Sequence, residues 1–385
     1  MSSDYPIILQ IVPIPKSSTK LRHARVQGIV TSLTELGYDS IVCTYAHAKE
    51  VQGAENLYTT SKQKNIQTHK QLEKDAFATH LQLLKLGLKI FRNNTPMAIH
   101  TYGLRGLKIS ALIKLLFFWK RSRLICDFSE EESNQLNTIS RFSLTGFLVK
   151  MANVVTCSTQ SSLEITQEAL GLDPTNISLV VNGIDSNKEL NNDNVDNIKE
   201  KLKIAPGKTV IAINGGIEKS TSTLKELQKI IFSFKEQMDK VHFLIIGEPR
   251  KYLYSFLKKY EIDSMCTLAS DVQPKLLPKY YSVANLALSL DQSDSEENRV
   301  TILNYMGNCL PIVCYETQNQ RNYLPQGTPL ANSITDINSN LKNLIQSSEN
   351  QEKLSRLNMK RFEEFYSWEV SKEQLHATYM QTLDE

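Results

Sequence analysis

The sequence predicts an α/β protein built from two doubly wound, Rossmann-like domains, and three observations predict it. The chain has 385 residues, more than one ordinary core holds, so two domains are expected. It opens with a strand–helix–strand pattern: IILQIV from Ile7 to Val12, a helix from Leu21 to Leu36 closed by Gly37, and the strand SIVCTY. A second such unit runs from Asn285 to Cys314 and reads strand, acidic loop, helix, strand. There, Leu286 to Leu290 is an apolar run, Val300, Ile302, Leu303 and Met306 recur at helical spacing, and Cys309-Leu310-Pro311 breaks the helix before Ile312 to Cys314. A carboxylate loop between a strand's carboxyl end and a helix N-terminus stands where open α/β sheets bind ligands. Helix N-termini in that place favour anionic groups such as phosphate.

Bulk properties exclude several classes. With 41% hydrophobic and 22% charged residues the chain reads as globular, and a net charge of +3 argues against a dedicated nucleic-acid binder. The six cysteines lack CxxC or CxxH spacing and mostly lie in apolar runs, which predicts free thiols in a reducing, cytoplasmic compartment. The start MSSDYPIILQIV has no basic segment and reads as a first strand, and no apolar run reaches the ~18 residues of a membrane span.

Along the first half, Arg22, His23 and Arg25 open the first helix, either as anion or acceptor contacts or as a solvated first turn. Residues 46–74 are polar and predict a loop or a peripheral strand pair. His100 lies near the carboxyl side of the strand MAIHTYG, where it either faces a cleft and titrates near neutrality or is structural. LKISALIKLLFFWKRSR, Leu107 to Arg123, predicts a helix with five basic residues and no acidic one. It suits docking on an anionic membrane surface, or a core helix with a solvated basic end. The strand LICDF runs into an acidic loop, where Asp127 is a candidate sugar- or acceptor-facing carboxylate, while Ser129 and Glu132 fit a capping box. Ser186 to Gly207, rich in Asn, Asp and Lys, reads as linker plus a short helix. Thr209 to Gly216 opens the second domain as a strand ending in Gly215-Gly216, a weak phosphate-cradling arrangement. Asp291 and Asp294 read as loop solvation.

The stretch Asn285–Cys314 resembles the donor segment of the family 4 retaining glycosyltransferases of the GT-B fold. That segment has two Glu eight positions apart, a Met-containing helix and a Gly-x-Pro-hydrophobic strand. Here Glu296 takes the first place, Asn304 replaces the second Glu, and Glu297-Asn298-Arg299 replaces Gly-Phe-Gly. VVTCSTQSS with Asn182-Gly183-Ile184-Asp185, the strand HFLIIGEPR with Gly247, and Ser367-Trp368 before a last amphipathic helix follow the same pattern in order.

The resemblance implies a GT-B fold, with two Rossmann-like domains facing across a cleft. Residues 1–185 would form an acceptor domain, 186–207 a linker, 208–362 a nucleotide-sugar domain, and 363–385 a helix crossing back to the first domain. It implies retaining transfer of a hexose from a nucleotide-diphosphate sugar to a glycan, lipid-linked or protein acceptor, without metal or cofactor. Glu296 would hold sugar hydroxyls and, with Asp127, is the implied catalytic pair. Gly215, Gly216, Lys219, Gly247, Glu297, Asn298, Arg299 and Asn304 would complete the donor site. Ser18, Arg22 and His100 are the acceptor-side candidates; Ser18 stands where the family carries a Gly-Gly loop. Trp368 is expected as a packing anchor. The family's phosphate-binding Arg is Gly216 here, which keeps a rival open: an inactive glycosyltransferase-like partner or scaffold subunit. A GT-B epimerase or phosphorylase is a third reading.

Overall fold

A computed structural model describes residues 6–13, 20–45, 56–60, 69–139, 142–184, 192–214, 221–247, 251–270, 272, 276–293 and 295–384. The chain divides into two compact units, Met1–Gly183 with Trp368–Glu385, and Ile184–Ser367.

The first unit runs β1 (Ile7–Val12), α1 (Lys20–Glu35), β2 (Asp39–Tyr45), β3 (Asn56–Thr60), α2 (His69–Asn93), β4 (Ala98–Tyr102), α3 (Gly103–Leu116), β5 (Arg123–Phe128), α4 (Glu130–Leu136), α5 (Leu144–Lys150), β6 (Val154–Cys157), α6 (Gln160–Leu170) and β7 (Ile177–Leu179). The second runs α7 (Asn192–Lys201), β8 (Thr209–Asn214), α8 (Thr221–Ser233), β9 (Val241–Ile246), α9 (Lys251–Lys259), β10 (Cys266–Ala269), α10 (Leu277–Tyr281), β11 (Leu286–Ser289), α11 (Glu296–Gly307), β12 (Ile312–Tyr315), α12 (Gln318–Tyr323), β13 (Leu330–Ala331), α13 (Ile334–Gln346) and α14 (Ser348–Phe365). The last helix, α15 (Trp368–Asp384), belongs to the first unit.

Both sheets are parallel and both reverse their winding after the third strand. The first has order β3-β2-β1-β4-β5-β6-β7, the second β10-β9-β8-β11-β12-β13. The switch points therefore fall between β1 and β4, and between β8 and β11. Strand periodicity feeds two cores per sheet. In β1, Leu9 and Ile11 join the core under α2, α3, α5 and α6, whereas Ile8 and Val12 join the one under α1 and α15. In the second unit α8, α9 and α13 cover one face, and α10, α11 and Phe362 of α14 cover the other.

Local chemistry sets the boundaries. Gly37 at φ 84° ends α1, with its N–H on Thr34 and that of Tyr38 on Leu33. Ser129 and Glu132 form the expected capping box at α4. The predicted helix 107–123 is shorter: α3 stops at Leu116, a 3₁₀ turn covers Phe118–Lys120, and Arg123 already begins β5. Lys120 fixes that stop, donating to the carbonyls of Phe91 and Asn94, each at 2.7 Å. The stretch 186–207, read as linker plus a short helix, contains that helix. Residues 192–201 are helical, and Val195, Ile198, Leu202 and Ile204 pack into the second unit's core. Of the polar region 46–74, β3 is a parallel edge strand beside β2 and His69 begins α2. Cys43, Cys126, Cys157 and Cys314 are buried free thiols, whereas Cys309 is exposed, at φ 57° where α11 ends.

Trp368 anchors α15 as expected. A Cβ on Gly28 would overlap its ring, and one on Gly183 would meet its backbone Cα at 2.7 Å. Ser371 donates to the Val181 carbonyl at 2.8 Å, and Gln374 accepts the Val181 N–H at 2.9 Å.

Candidate functional site

The second unit's switch point brings together the ends of β8, β9 and β11. β8 stops at Asn214, immediately before Gly215 and Gly216, which with Lys219 lie outside the described residues. β9 leads into Gly247, whose φ of 124° only glycine adopts without strain, and its N–H bonds the Ala269 carbonyl at 2.9 Å. β11 leads through the loop 290–295 into α11, whose first residue is Glu296. Every donor-side candidate on these segments therefore follows a strand's carboxyl end or lies on the helix after it.

The loop is held from inside. Ser295 caps α11, its hydroxyl accepting the Asn298 N–H at 3.2 Å, and Asp291 accepts the Ser293 N–H at 2.8 Å in an Asx turn. Asn298 is buried at 4% exposure, and its amide donates to the Asp291 carbonyl at 3.0 Å and the Ser293 carbonyl at 2.8 Å. It also accepts from the Ser289 hydroxyl at 3.1 Å. The side chain of this Asn thus positions the loop. Arg299 is buried, with its guanidinium 5.9 Å over the Tyr323 ring. Glu297 is exposed. Asn304 turns its amide N–H back onto the Val300 carbonyl at 2.7 Å.

Two tyrosines, absent from the sequence expectations, brace the switch point. The Tyr305 hydroxyl accepts the Asn214 N–H at 2.7 Å and donates to the Leu288 carbonyl at 3.4 Å, linking β8 to β11. The Tyr281 hydroxyl accepts from the Asn214 amide at 2.5 Å, and the two rings meet edge to face at 5.3 Å. Burial raises both phenols well above their ordinary value, so both stay protonated. The one sequence signal for them was a tyrosine inside each apolar stretch, and a buried Tyr hydroxyl needs a partner.

The first unit's switch point has a different chemistry. Asp127 is 3% exposed and closed on Arg25, whose Nε and Nη2 reach its two oxygens at 2.8 and 2.6 Å. Thr156 adds a donor at 2.6 Å, and the Arg25 Nη1 goes on to the Val180 carbonyl and the Asn182 side chain. Burial alone would raise this carboxyl, but the charge and hydrogen bonds of Arg25 outweigh it and hold it below the usual range. The expectation that Asp127 faces a sugar is therefore corrected: its lone pairs serve a buried ion pair. The solvated-turn reading of Arg25 fails for the same reason. A charged residue ending an apolar strand demanded such a partner, but the sequence did not say which of three cations supplies it.

His100 is fully buried, stacked on Tyr102 at 4.9 Å, with its Nδ1 2.7 Å from the Tyr379 hydroxyl of α15. Burial pushes its pKa down to about 4, so of the two readings of His100 the structural one holds. Ser18 and the side chain of Arg22 lie outside what is described. Among the described residues, no group of three or more His, Cys, Asp or Glu is placed to hold a metal ion.

The fold is that of the GT-B proteins. A glycosyltransferase from Rickettsia africae superposes with a TM-score of 0.69 at 13% identity, over 99% of this chain and all of the other. The starch synthase IV catalytic domain from Arabidopsis thaliana, bound to ADP and acarbose, gives 0.67 at 12% identity, over 99% and 100%. Anabaena HepE in complex with UDP gives 0.66 at 12% identity, over 97% and 99%. A UDP-GlcNAc 2-epimerase from Neisseria meningitidis gives 0.65 at 13% identity, over 97% and 99%, so the fold alone does not select the reaction. No protein-family profile and no curated protein sequence matches the chain.

Proposed function

We propose that this protein is a nucleotide-sugar-dependent glycosyltransferase, moving a hexose with retention and without a metal or cofactor. The observation that carries the reading is the convergence at the second unit's switch point. The ends of β8, β9 and β11, a glycine in the left-handed region and the N-terminus of α11 meet at the edge where doubly wound sheets take nucleotides. Glu296, at the start of α11, accepts hydrogen bonds from the sugar hydroxyls. The backbone after β8, with Gly215, Gly216 and Lys219, receives the diphosphate, and the Asn304 oxygen receives a ribose hydroxyl. The acceptor oxygen attacks C1 from the face that the diphosphate leaves. The C1–phosphate oxygen bond breaks, and the proton passes to the departing phosphate. The chain's part is to hold the sugar and stabilise the leaving charge, with no covalent step. UDP and ADP in structural neighbours support a nucleoside diphosphate as the recognised group. The acceptor is a glycan, a lipid-linked sugar or a protein, met at the cytoplasmic face of a membrane.

A second reading, an inactive partner subunit, is favoured by two specific observations. Asp127 is closed on Arg25, and the residue at the second Glu position donates to its own helix. Titration with nucleoside diphosphates and their sugars, followed by labelled-sugar transfer and the anomeric configuration of the product by NMR, separates the two. Binding with transfer and retention supports the enzyme; binding without transfer supports the partner. Binding only at millimolar nucleotide, or none, contradicts the enzyme and favours the partner.

A further inference from the structure

Burying a phenol costs free energy unless its hydroxyl is bonded, and a phenylalanine would fill the same volume without that cost. In the second unit two buried phenols bond one residue. Tyr305 takes the main-chain N–H of Asn214 and Tyr281 takes its side-chain amide, at 2.7 and 2.5 Å. Asn214 is the last residue of β8, and the segment read as receiving the diphosphate starts at the next one. The Tyr305 hydroxyl also stands at the end of a ladder. Ile213 and Leu288 are the last register pair of β8 and β11, and the hydroxyl bonds the N–H that follows the first and the carbonyl of the second. At this rung a side chain of α11 joins both strands.

The same helix holds the other exit. Asn298 lies about two turns before Tyr305, on the same buried face and about 10 Å away along the axis. Its amide donates to the Asp291 and Ser293 carbonyls, and its oxygen accepts from the Ser289 hydroxyl. α11 is itself seated on α14, where a Cβ on Gly307 would come within 2.9 Å of the Phe362 ring. One helix thus ties the strand end before the phosphate segment and the loop after β11, and the spacing of two of its side chains sets the distance between them.

We infer that Tyr305 and Tyr281 are positioning residues for the diphosphate of the donor and Asn298 is the positioning residue for its sugar. The inference rests on the donor reading above and deepens it, because the two ends of one ligand are placed by different side chains. The test is calorimetric titration of the full chain with UDP, ADP and GDP and with a hexose sugar of each, well below the melting temperature. Tyr305→Phe keeps the ring and should weaken the diphosphate and its sugar by the same factor, about tenfold. Tyr281→Phe loses only the side-chain tie and should weaken both about threefold. Asn298→Ala should instead weaken the sugar nucleotide by a larger factor than the diphosphate. If Tyr305→Phe does not fold, Tyr281→Phe decides, since its hydroxyl bonds only the Asn214 side chain. A merely structural hydroxyl would lower the melting temperature and leave both affinities unchanged. That result in the tyrosine variants, or one factor for both ligands in Asn298→Ala, overturns the inference while wild-type binding keeps the donor reading. A wild type that binds no diphosphate overturns the donor reading and this inference with it.

Discussion

The two switch points share a winding and differ in what their polar groups face. In the first unit Arg25, Asp127 and Thr156 close on one another, and His100 and Tyr379 do the same across to α15. In the second, Asn298 closes on the backbone of the loop that leads into α11, and Tyr305 closes on the ends of two strands. One set forms a buried polar lock. The other holds a loop and a helix N-terminus in place for something else. A polar residue at a strand's carboxyl end is thus not by itself a site; the groups its hydrogen bonds satisfy decide.

The sharpest way to break this contrast is Asp127→Ala. It leaves the Arg25 charge buried without its counterion and should cost about 3–5 kcal/mol, read by denaturant unfolding of the first unit. Glu296→Gln should instead leave unfolding unchanged and reduce sugar binding or transfer. If Asp127→Ala unfolds like the wild type and loses only turnover, the lock is a catalytic site after all.

Acid should act on the same lock. His100 titrates at about 4 when folded and 6.5 when unfolded, so between those values the unfolded chain binds more protons, and stability falls as pH drops from 6.5 to 4. The full loss is about 3 kcal/mol at most. Below 3.8 Asp127 continues it, because its depressed carboxyl contributes stability that disappears only as pH falls through its folded value. His100→Gln should flatten the upper part of this profile. His242, also pushed down to about 4 by burial, gives the second unit a slope of its own, so unfolding must be followed unit by unit.

Asn298→Ala removes three hydrogen bonds to the loop and should cost about 2 kcal/mol, with weaker nucleotide-sugar binding as its distinguishing effect. At the small end, the Lys372–Glu35 pair is 35% and 54% exposed, and Lys372→Ala should change stability by no more than about 0.5 kcal/mol.

Much of this architecture was readable in advance. Apolar runs bounded by Gly, Pro or a polar loop placed β1, β8, β9, β11 and β12, and the Ser129–Glu132 spacing placed the cap of α4. The site was less readable because hydrogen-bond partners are far apart in sequence. Arg25 and Asp127 are 102 residues apart, His100 and Tyr379 are 279 apart, and no local pattern joins them. Asn298 misled for another reason. Its place after Glu296 fits a ligand contact equally well, and only the fold of residues 289–293 turns its amide inward.

Hydrogen–deuterium exchange of the full chain, with and without saturating UDP, ADP or GDP, asks most directly whether the second switch point is the donor site. Slower exchange is expected for the segments after β8 and β9 and for residues 290–304 with at least one nucleotide, while the Arg25–Asp127 and His100–Tyr379 regions stay as they were. Protection confined to the first unit, or none anywhere with all three, would contradict it.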